Sequence, residues 1–217
     1  MDVLITGADR PLGRLAAGHF KEAHRLRLTG AAPSAPGGEY RSADLREPEE
    51  VARLVAGMQA VLHLAVYDPT PLSGPGAEQA RLEVAARGTY VLLCEARKAG
   101  VERVVLASRL ALMEAYPEDY VVDENWQPRP EADAESLAPY LSEIVCREFA
   151  REGGIHTVCL RLGAPGEAEA DVLQALEGSL ALGFEHPGYR WHLFHISRSA
   201  RFPMGAGALG FEQKGGA

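Results

Sequence analysis

The sequence predicts an α/β protein with a doubly wound, mostly parallel sheet and a reduced C-terminal cap. Short apolar runs alternate with helical stretches through the first half of the chain. The runs are apolar on both faces, as strands are when helices cover both sides of a parallel sheet. A glycine-rich turn between the first run and the first helical stretch is typical of the same architecture.

The elements can be placed in chain order from this alternation. Strands are expected over residues 3–6, 26–28, 39–43 (a weak one), 60–66 and 104–107, with helices over residues 12–23, 48–56 and 77–99. Residues 109–136 form a long irregular stretch, which is typical of a functional cover or of disorder. A helix over residues 137–151, a strand over 155–162, a helix over 170–182 and a strand over 189–196 complete the pattern.

Length and composition predict the number of domains and argue against nucleic-acid-binding and membrane-spanning classes of protein. A chain of 217 residues with 47% hydrophobic residues predicts one domain over residues 1–163, with residues 164–217 as a small cap that does not fold independently. A net charge of −8 argues against a nucleic-acid partner. The longest apolar run, near residues 60–66, is too short to span a membrane. No secretory signal is visible and three cysteines are widely spaced, so we expect a cytoplasmic protein with reduced thiols.

The turn after the first strand reads Thr6-Gly7-Ala8-Asp9-Arg10-Pro11-Leu12-Gly13. Glycines in such a turn allow the backbone to approach a pyrophosphate and let the helix pack closely on the strand. The helix N-terminus then faces the anion. Taken alone, this turn is equally compatible with a plain connection between a strand and a helix.

Further stretches in the same order resemble the extended short-chain dehydrogenase/reductases of the NAD-dependent epimerase/dehydratase family. The glycine-rich turn is similar to the family's TGxxGxxG. The other matching stretches are Asp44-Leu45, His63-Leu64-Ala65-Val66, the segment from Gly88-Thr89 to Ser108, Asp123-Glu124-Asn125 through Pro139-Tyr140, and Arg161-Leu162-Gly163. The resemblance runs through about the first three-quarters of the chain.

The resemblance implies a Rossmann fold, NAD or NADP as cofactor, and a sugar or nucleotide sugar as the small-molecule substrate. The residues it assigns to cofactor binding are Gly7, Arg10, Leu12, Gly13, Thr29, Asp44, Leu45, Leu64, Ala65 and Tyr140. It also implies a homodimer that pairs helix 77–99 with the helix that carries Tyr140. A second apolar stripe on helix 77–99 supports the dimer, because a monomer would leave it in water. That stripe consists of Leu82, Ala86, Thr89 and Leu93.

The turn departs from the family pattern in ways that affect the cofactor. Arg10 replaces the middle glycine, and its side chain either obstructs the pyrophosphate or folds over it as a cation. Gly30, after Thr29, stands where an acid would accept a hydrogen bond from the ribose 2′-hydroxyl of NAD. We therefore expect weak dinucleotide binding, with NADP bound no worse than NAD. Arg10 as a solvated surface residue remains an equal alternative.

The catalytic residues implied by the family are only partly present. Ser108 matches the first of two serines, and the catalytic second one is replaced by Arg109. Tyr140 matches the acid/base tyrosine, but Ile144 stands four residues on, where the family has lysine, and a one-residue gap places Glu143 there instead. Arg109 or Arg147 can supply a positive charge, although an arginine does not readily exchange a proton.

Two functional hypotheses follow from these departures. The first is an impaired or atypical NAD(P)-dependent sugar oxidoreductase or epimerase. The second is a catalytically silent dinucleotide-binding or ligand-sensing module that acts through a protein partner. No metal site is expected, because His192 and His195 face opposite ways on a strand. His63, on a buried strand, is expected to be a hydrogen-bonded core residue.

Overall fold

A computed structural model describes residues 1–34, 39–67, 73–164, 169–183 and 189–211. Its strands form one sheet in which every neighbouring pair is parallel. The strands are β1 (Asp2–Thr6), β2 (Arg25–Gly30), β3 (Glu39–Ser42), β4 (Ala60–His63), β5 (Arg103–Arg109), β6 (His156–Leu162) and β7 (Trp191–Ile196). Their order across the sheet is β3-β2-β1-β4-β5-β6-β7. The order reverses between β1 and β4, and the crevice at such a switch point is where doubly wound sheets bind ligands.

Helices connect the strands on both faces of the sheet. They are α1 (Pro11–Phe20), α2 (Pro48–Val55), α3 (Ala77–Glu83), α4 (Thr89–Lys98), α5 (Ala134–Glu152) and α6 (Glu169–Ala181). A π turn over Val84–Gly88 joins α3 to α4, and short 3₁₀ helices cover Leu110–Met113 and Ala206–Leu209. These elements confirm the predicted fold class.

Two hydrophobic cores lie on opposite faces of the sheet. On one face α1 and α6 pack through residues such as Phe20 and Leu176. On the other face α2, α4 and α5 pack through Leu54, Leu92 and Phe149. The sheet is therefore buried on both sides, which explains why its central strands are apolar throughout.

Several element boundaries differ from the sequence prediction. β4 ends at His63, before the apolar run does. α5 begins at Ala134, earlier than expected, because the Asp133 carboxylate caps it by accepting a hydrogen bond from the Ser136 amide at 2.8 Å. The helix expected over residues 77–99 contains the π turn, where the Ala85 carbonyl accepts a hydrogen bond from Ser142 Oγ at 3.0 Å.

The apolar stripe that we expected a monomer to expose is partly buried within the chain. Thr89 and Leu93 are both fully buried, while Leu82 and Ala86 are half-buried. Thr89 Oγ1 lies 3.0 Å from His63 Nε2 and 3.4 Å from Ser142 Oγ, so its position is set by β4 and α5. The prediction that this stripe faces water was wrong, because α5 packs against it.

The segment after Gly163, expected to form the cap, supplies α6 and β7 to the layered fold. Leu180 of α6 and Phe194 of β7 lie in the same core as α1. The Ala206–Leu209 turn also packs there through Leu209.

Candidate functional site

The turn between β1 and α1 has the close packing that its glycines predict. Gly7 has a φ of +69°, and a Cβ on it would lie 2.7 Å from the Ala65 Cα atom. A Cβ on Gly13 would collide with the Gly7 carbonyl oxygen. The Ala8 amide donates a hydrogen bond to the Thr29 carbonyl at 2.9 Å, which joins the turn to β2. Only glycine therefore fits at these two positions.

The start of α1 offers backbone amides to an anion. Arg10 is its N-cap residue and Pro11 follows it, and within the described residues no side chain caps this end of the helix. Uncapped amides and the helix dipole together attract phosphate groups.

A cavity of about 370 Å³ opens beside this turn, at the carboxyl ends of the first strands. Its walls come from the turn after β1, the ends of β2 and β3, the four residues after β3, the segment after β4, and the π turn. The lining residues are Gly7, Asp9, Arg10, Thr29, Gly30, Ala31, Ser42, Ala43, Asp44, Leu45, Arg46, Ala65 and Val84. The Thr29 hydroxyl is buried here and has no hydrogen-bond partner among the described residues.

A carboxylate lies at the end of β2 although β2 itself has none there. Asp9 reaches across from the turn, and its Oδ2 accepts a hydrogen bond from the Ala32 amide at 3.0 Å. A Cβ on Gly30 would collide with Asp9 Oδ1. Burial and the nearby Asp9 charge raise the pKa of Tyr40, whose hydroxyl donates to the Ala32 carbonyl at 2.6 Å.

Asp44 occupies the far wall of the cavity and is held by an arginine. Arg46 donates to both carboxylate oxygens of Asp44, at 2.7 to 3.1 Å, and to Glu83 at 2.6 Å. These hydrogen bonds lower the pKa of Asp44. Leu45 beside it is buried and contacts Gly88, so the backbone of this wall is fixed.

Four residues that the resemblance assigns to cofactor binding do not line this cavity. Leu12 and Leu64 are buried in the core on the α1 face of the sheet. Gly13 packs under the turn, as described above. Tyr140 is half-buried on α5 and packs against a separate small core that contains Tyr116 and Phe202.

Ser108 lies in a buried polar network and not at an open surface. Its hydroxyl donates to Glu143 Oε1 at 2.5 Å. Arg161 binds the same carboxylate through two hydrogen bonds of 2.9 and 2.7 Å. Glu143 is 4% exposed and Arg161 is 2% exposed, so the ion pair is sealed from solvent.

The network extends to the neighbouring strand and turn. Arg161 Nη1 lies 3.2 Å from Met113 Sδ and 3.4 Å from His195 Nε2. His195 is buried, and burial lowers its pKa to about 4. Its backbone amide donates to Glu124 at 3.0 Å.

The two arginines expected near the catalytic site lie in different places. Arg109 follows Ser108 at the end of β5 and donates to Glu135 of α5 at 2.8 Å. Arg147 is exposed and pairs with Glu148 at 3.7 Å. It lies seven residues beyond Tyr140, about 10 Å further along the helix. Burial raises the pKa of Tyr189, and the charge of Arg147 opposes this rise. Tyr189 lies just before β7, so this contact is at the amino ends of the strands, away from the turn after β1.

Arg109 borders a second cavity, of about 430 Å³, beside the start of α5. Four acids line it, Glu114, Glu131, Asp133 and Glu135, against two arginines, Arg109 and Arg129. Carboxylate oxygens accept hydrogen bonds from hydroxyl groups and repel anions. This surface therefore suits a neutral polyhydroxyl ligand better than a carboxylate.

The histidines and acids that the structure describes are not grouped as metal ligands. Among the described residues, no three His, Cys, Asp or Glu side chains lie together as metal ligands would. His63 is a core residue, as predicted, with its ring nitrogens 2.8 Å from Thr6 Oγ1 and 3.0 Å from Thr89 Oγ1. Trp126 packs edge-to-face on Tyr116 at 4.8 Å between ring centroids.

Sequence reasoning missed Asp9 as a residue of the β2 end and Glu143 as the partner of Arg161. Asp9 stands in the variable part of the turn, where spacing says nothing about side-chain direction. Glu143 offered one signal, because it is a charged residue on the helix side that carries Ala138 and Cys146, both of which are buried.

Comparison with known proteins agrees with this architecture. The family model for the NAD dependent epimerase/dehydratase family matches residues 3–165. Uronate dehydrogenase from Pseudomonas syringae pv. tomato is 29% identical over 167 residues, which are 75% of this chain and 58% of that protein. The chain thus spans less than two-thirds of the length of this curated relative.

Solved structures share the fold. Uronate dehydrogenase from Agrobacterium tumefaciens superposes with a TM-score of 0.80 at 23% identity, covering 99% of this chain and 84% of that one. A variant of that enzyme is known in complex with NAD. Glucuronic acid dehydrogenase from Chromohalobacter salexigens gives a TM-score of 0.77 at 20% identity, covering 96% and 82%. Within the described residues, no helix has the length and apolar composition to cross a membrane.

Proposed function

The chain belongs to the NAD dependent epimerase/dehydratase family, and we propose that it binds NAD or NADP in the 370 Å³ cavity while turning over sugar substrates slowly or not at all. The observation that carries this proposal is the contrast between two places at the carboxyl ends of the parallel strands. The 370 Å³ cavity is open, whereas Ser108, where the resemblance places the first of the family's two serines, is bound by the buried Glu143–Arg161 ion pair.

The residues of the cavity fit a dinucleotide. Its volume lies within the roughly 300–1,000 Å³ of small-molecule sites. Gly7 and Gly13 allow the close backbone approach that a pyrophosphate requires. The buried Thr29 hydroxyl is available to a ligand, and Asp44 and Leu45 stand where the resemblance places the adenine. When bound, the nicotinamide would supply a hydride acceptor or donor.

The acid/base residues support slow turnover. Tyr140 has Ile144 four residues on, and Lys98 and Lys214 are the nearest lysines in sequence on either side. The Ser108 hydroxyl donates a hydrogen bond to Glu143 and is buried, so it is not placed to bind a substrate hydroxyl. Loss of general acid/base assistance lowers rates by about a hundredfold to ten-thousandfold.

We propose a sugar or nucleotide sugar as the substrate, with its neutral sugar ring as the group that occupies the second cavity. The relatives are named as uronate dehydrogenases, but here acids outnumber arginines four to two in the cavity lining. A neutral sugar is therefore the better candidate for this chain.

A second candidate function is a silent sensing module that acts through a protein partner. It is favoured by the Ser108–Glu143–Arg161 network, which stabilises the fold at the place where the family has catalytic groups. We also propose a homodimer through α4 and α5, and a reducing compartment such as the cytoplasm for the three free cysteines.

Calorimetric titration with NAD and NADP tests the binding. Turnover is then measured with neutral sugars, uronates and nucleotide sugars, using the native protein and a variant that carries Arg109→Ser with Ile144→Lys. We expect a dinucleotide to bind and the native protein to be inactive or very slow. A gain of activity in the double variant indicates an intact scaffold that has lost its catalytic groups. Native rates equal to those of active family members contradict the proposal.

A further inference from the structure

The space in front of the last residue of β2 is occupied by a carboxylate from another part of the chain. Asp9 Oδ1 lies where a Cβ on Gly30 would stand, so no larger residue fits at position 30 while Asp9 remains. The Ala32 amide holds Asp9 Oδ2 at 3.0 Å. The Tyr40 hydroxyl in turn binds the Ala32 carbonyl, so the receiving peptide is itself fixed.

An acid at the end of the second strand has a defined role in dinucleotide-binding sheets. It accepts hydrogen bonds from the adenosine ribose hydroxyls of NAD and repels the 2′-phosphate of NADP. We propose that Asp9 supplies this carboxylate from the glycine-rich turn, in place of an acid on β2, and thereby selects NAD over NADP. This inference rests on the proposed dinucleotide binding and specifies its selectivity.

The hydrogen bonding of Asp9 supports the role. Among the described residues, the Ala32 amide is the one donor to this carboxylate, which leaves Oδ1 as an acceptor at the cavity wall. The expectation that NADP binds no worse than NAD depended on the missing acid at position 30. The carboxylate of Asp9 removes that reason, because it restores the negative charge at the same place.

The first experiment compares Asp9→Asn with the native protein by calorimetric titration of NAD and NADP. Asparagine keeps the size and the acceptor for the Ala32 amide but removes the charge. We expect the native protein to bind NAD at least about tenfold more tightly than NADP, and Asp9→Asn to lose most of this ratio. Glu49→Gln, an exposed residue on α2, is the control for a change of one charge and is expected to keep the ratio.

The second experiment moves the acid back to β2. Asp9→Ala vacates the space over Gly30, so Asp9→Ala combined with Gly30→Asp is expected to restore the preference for NAD. Gly30→Asp alone is expected to weaken binding of both dinucleotides, because its side chain collides with Asp9. This rescue keeps the test informative even where Asp9→Asn is poorly folded.

The outcomes separate the selectivity from the binding. Equal affinities for NAD and NADP in the native protein overturn the role of Asp9 and leave the proposed binding intact. A ratio of NAD to NADP affinity that Asp9→Asn does not change also overturns the role of Asp9. Equal tightening of NAD and NADP binding in Asp9→Ala overturns it too, because it identifies Asp9 as an obstruction. Failure of the native protein to bind either dinucleotide overturns the proposed function itself.

Discussion

Glu143 illustrates how a charged residue on a helix is held in a buried structural contact. Its carboxylate accepts hydrogen bonds from Ser108 and from two nitrogens of Arg161. A buried ion pair gains its stability from complete hydrogen bonding, because both charges have been removed from water. Removal of one partner is therefore far more costly than loss of a surface pair.

We predict that Glu143→Ala lowers the free energy of unfolding by about 3–5 kcal/mol, because Arg161 is left charged and buried. Urea denaturation measures the change. Glu148→Ala on the same helix is the matched control, since its pair with Arg151 is solvent-exposed and contributes little to stability. Equal effects of the two substitutions would show that the buried network contributes little.

We predict an acid-dependent loss of stability that involves His63. Burial lowers the pKa of His63 to about 4 in the folded protein, against about 6.5 in an unfolded chain. The unfolded chain therefore binds the extra proton between these values. The contribution of neutral His63 is complete above pH 6.5 and is lost as the pH falls towards 4.

The measurement is the free energy of unfolding against pH for the native protein and His63→Gln. We expect the difference between them to shrink by about 3 kcal/mol from pH 7 to pH 4. His19→Gln, on the exposed side of α1, is the control for replacement of a histidine at the surface. A constant difference for His63→Gln across this range would contradict the buried neutral state.

At the scale of elements, the turn between β1 and α1 keeps its close packing although its middle glycine has changed to arginine. Gly7 and Gly13 are held by contacts with Ala65 and with the turn itself. Arg10 is the N-cap residue of α1 and lines the 370 Å³ cavity. Its backbone is where a pyrophosphate would approach.

We predict that Arg10→Gly tightens NAD binding several-fold, because it removes the Cβ and the side chain from the path of the pyrophosphate. Arg10→Ala separates the two effects, since it removes the charge but keeps the Cβ. Titration of NAD into both variants, with Arg14→Ala as a control for charge on the same helix, is the measurement. Weaker binding in both Arg10 variants would instead identify Arg10 as a cation that binds phosphate.

At the scale of the whole molecule, the outer side of α4 and α5 is the surface that a dimer would cover. Tyr90 is 54% exposed, and its ring packs edge-to-face on Phe149 at 5.8 Å. Leu141 and Val145 on α5 are half-buried. The dimer proposal now rests on these residues, because Thr89 and Leu93 are buried within the chain.

We predict that the native protein sediments as a dimer at micromolar concentration and that Tyr90→Glu shifts it to a monomer, because a charge in an apolar interface is costly. Tyr189→Glu is the control, since this tyrosine is equally exposed (55%) but lies before β7. A native monomer, or a dimer that both substitutions leave intact, would contradict an interface at α4 and α5.

The sequence by itself determined the sheet, the order of its elements and the close packing of the glycine-rich turn after β1. These features follow from local patterns, since apolar runs, glycine spacing and the alternation of strands with helices involve residues that are near one another in the chain. The lack of a lysine between Lys98 and Lys214 could also be read directly from the sequence, whatever the fold does around Tyr140.

Only the tertiary structure decided which distant side chains share one space. Ser108 matched a family motif, but the packing of α5 on β5 and β6 places Glu143 and Arg161 against it. In the sequence, Asp9 is a residue of the variable part of the turn and the end of β2 has no acid. In the folded protein, the Asp9 carboxylate lies against Gly30 and Ala32 at the end of β2. The physical reason is that close packing leaves room for one group in each buried space. The linear sequence does not say which of several distant side chains occupies that space.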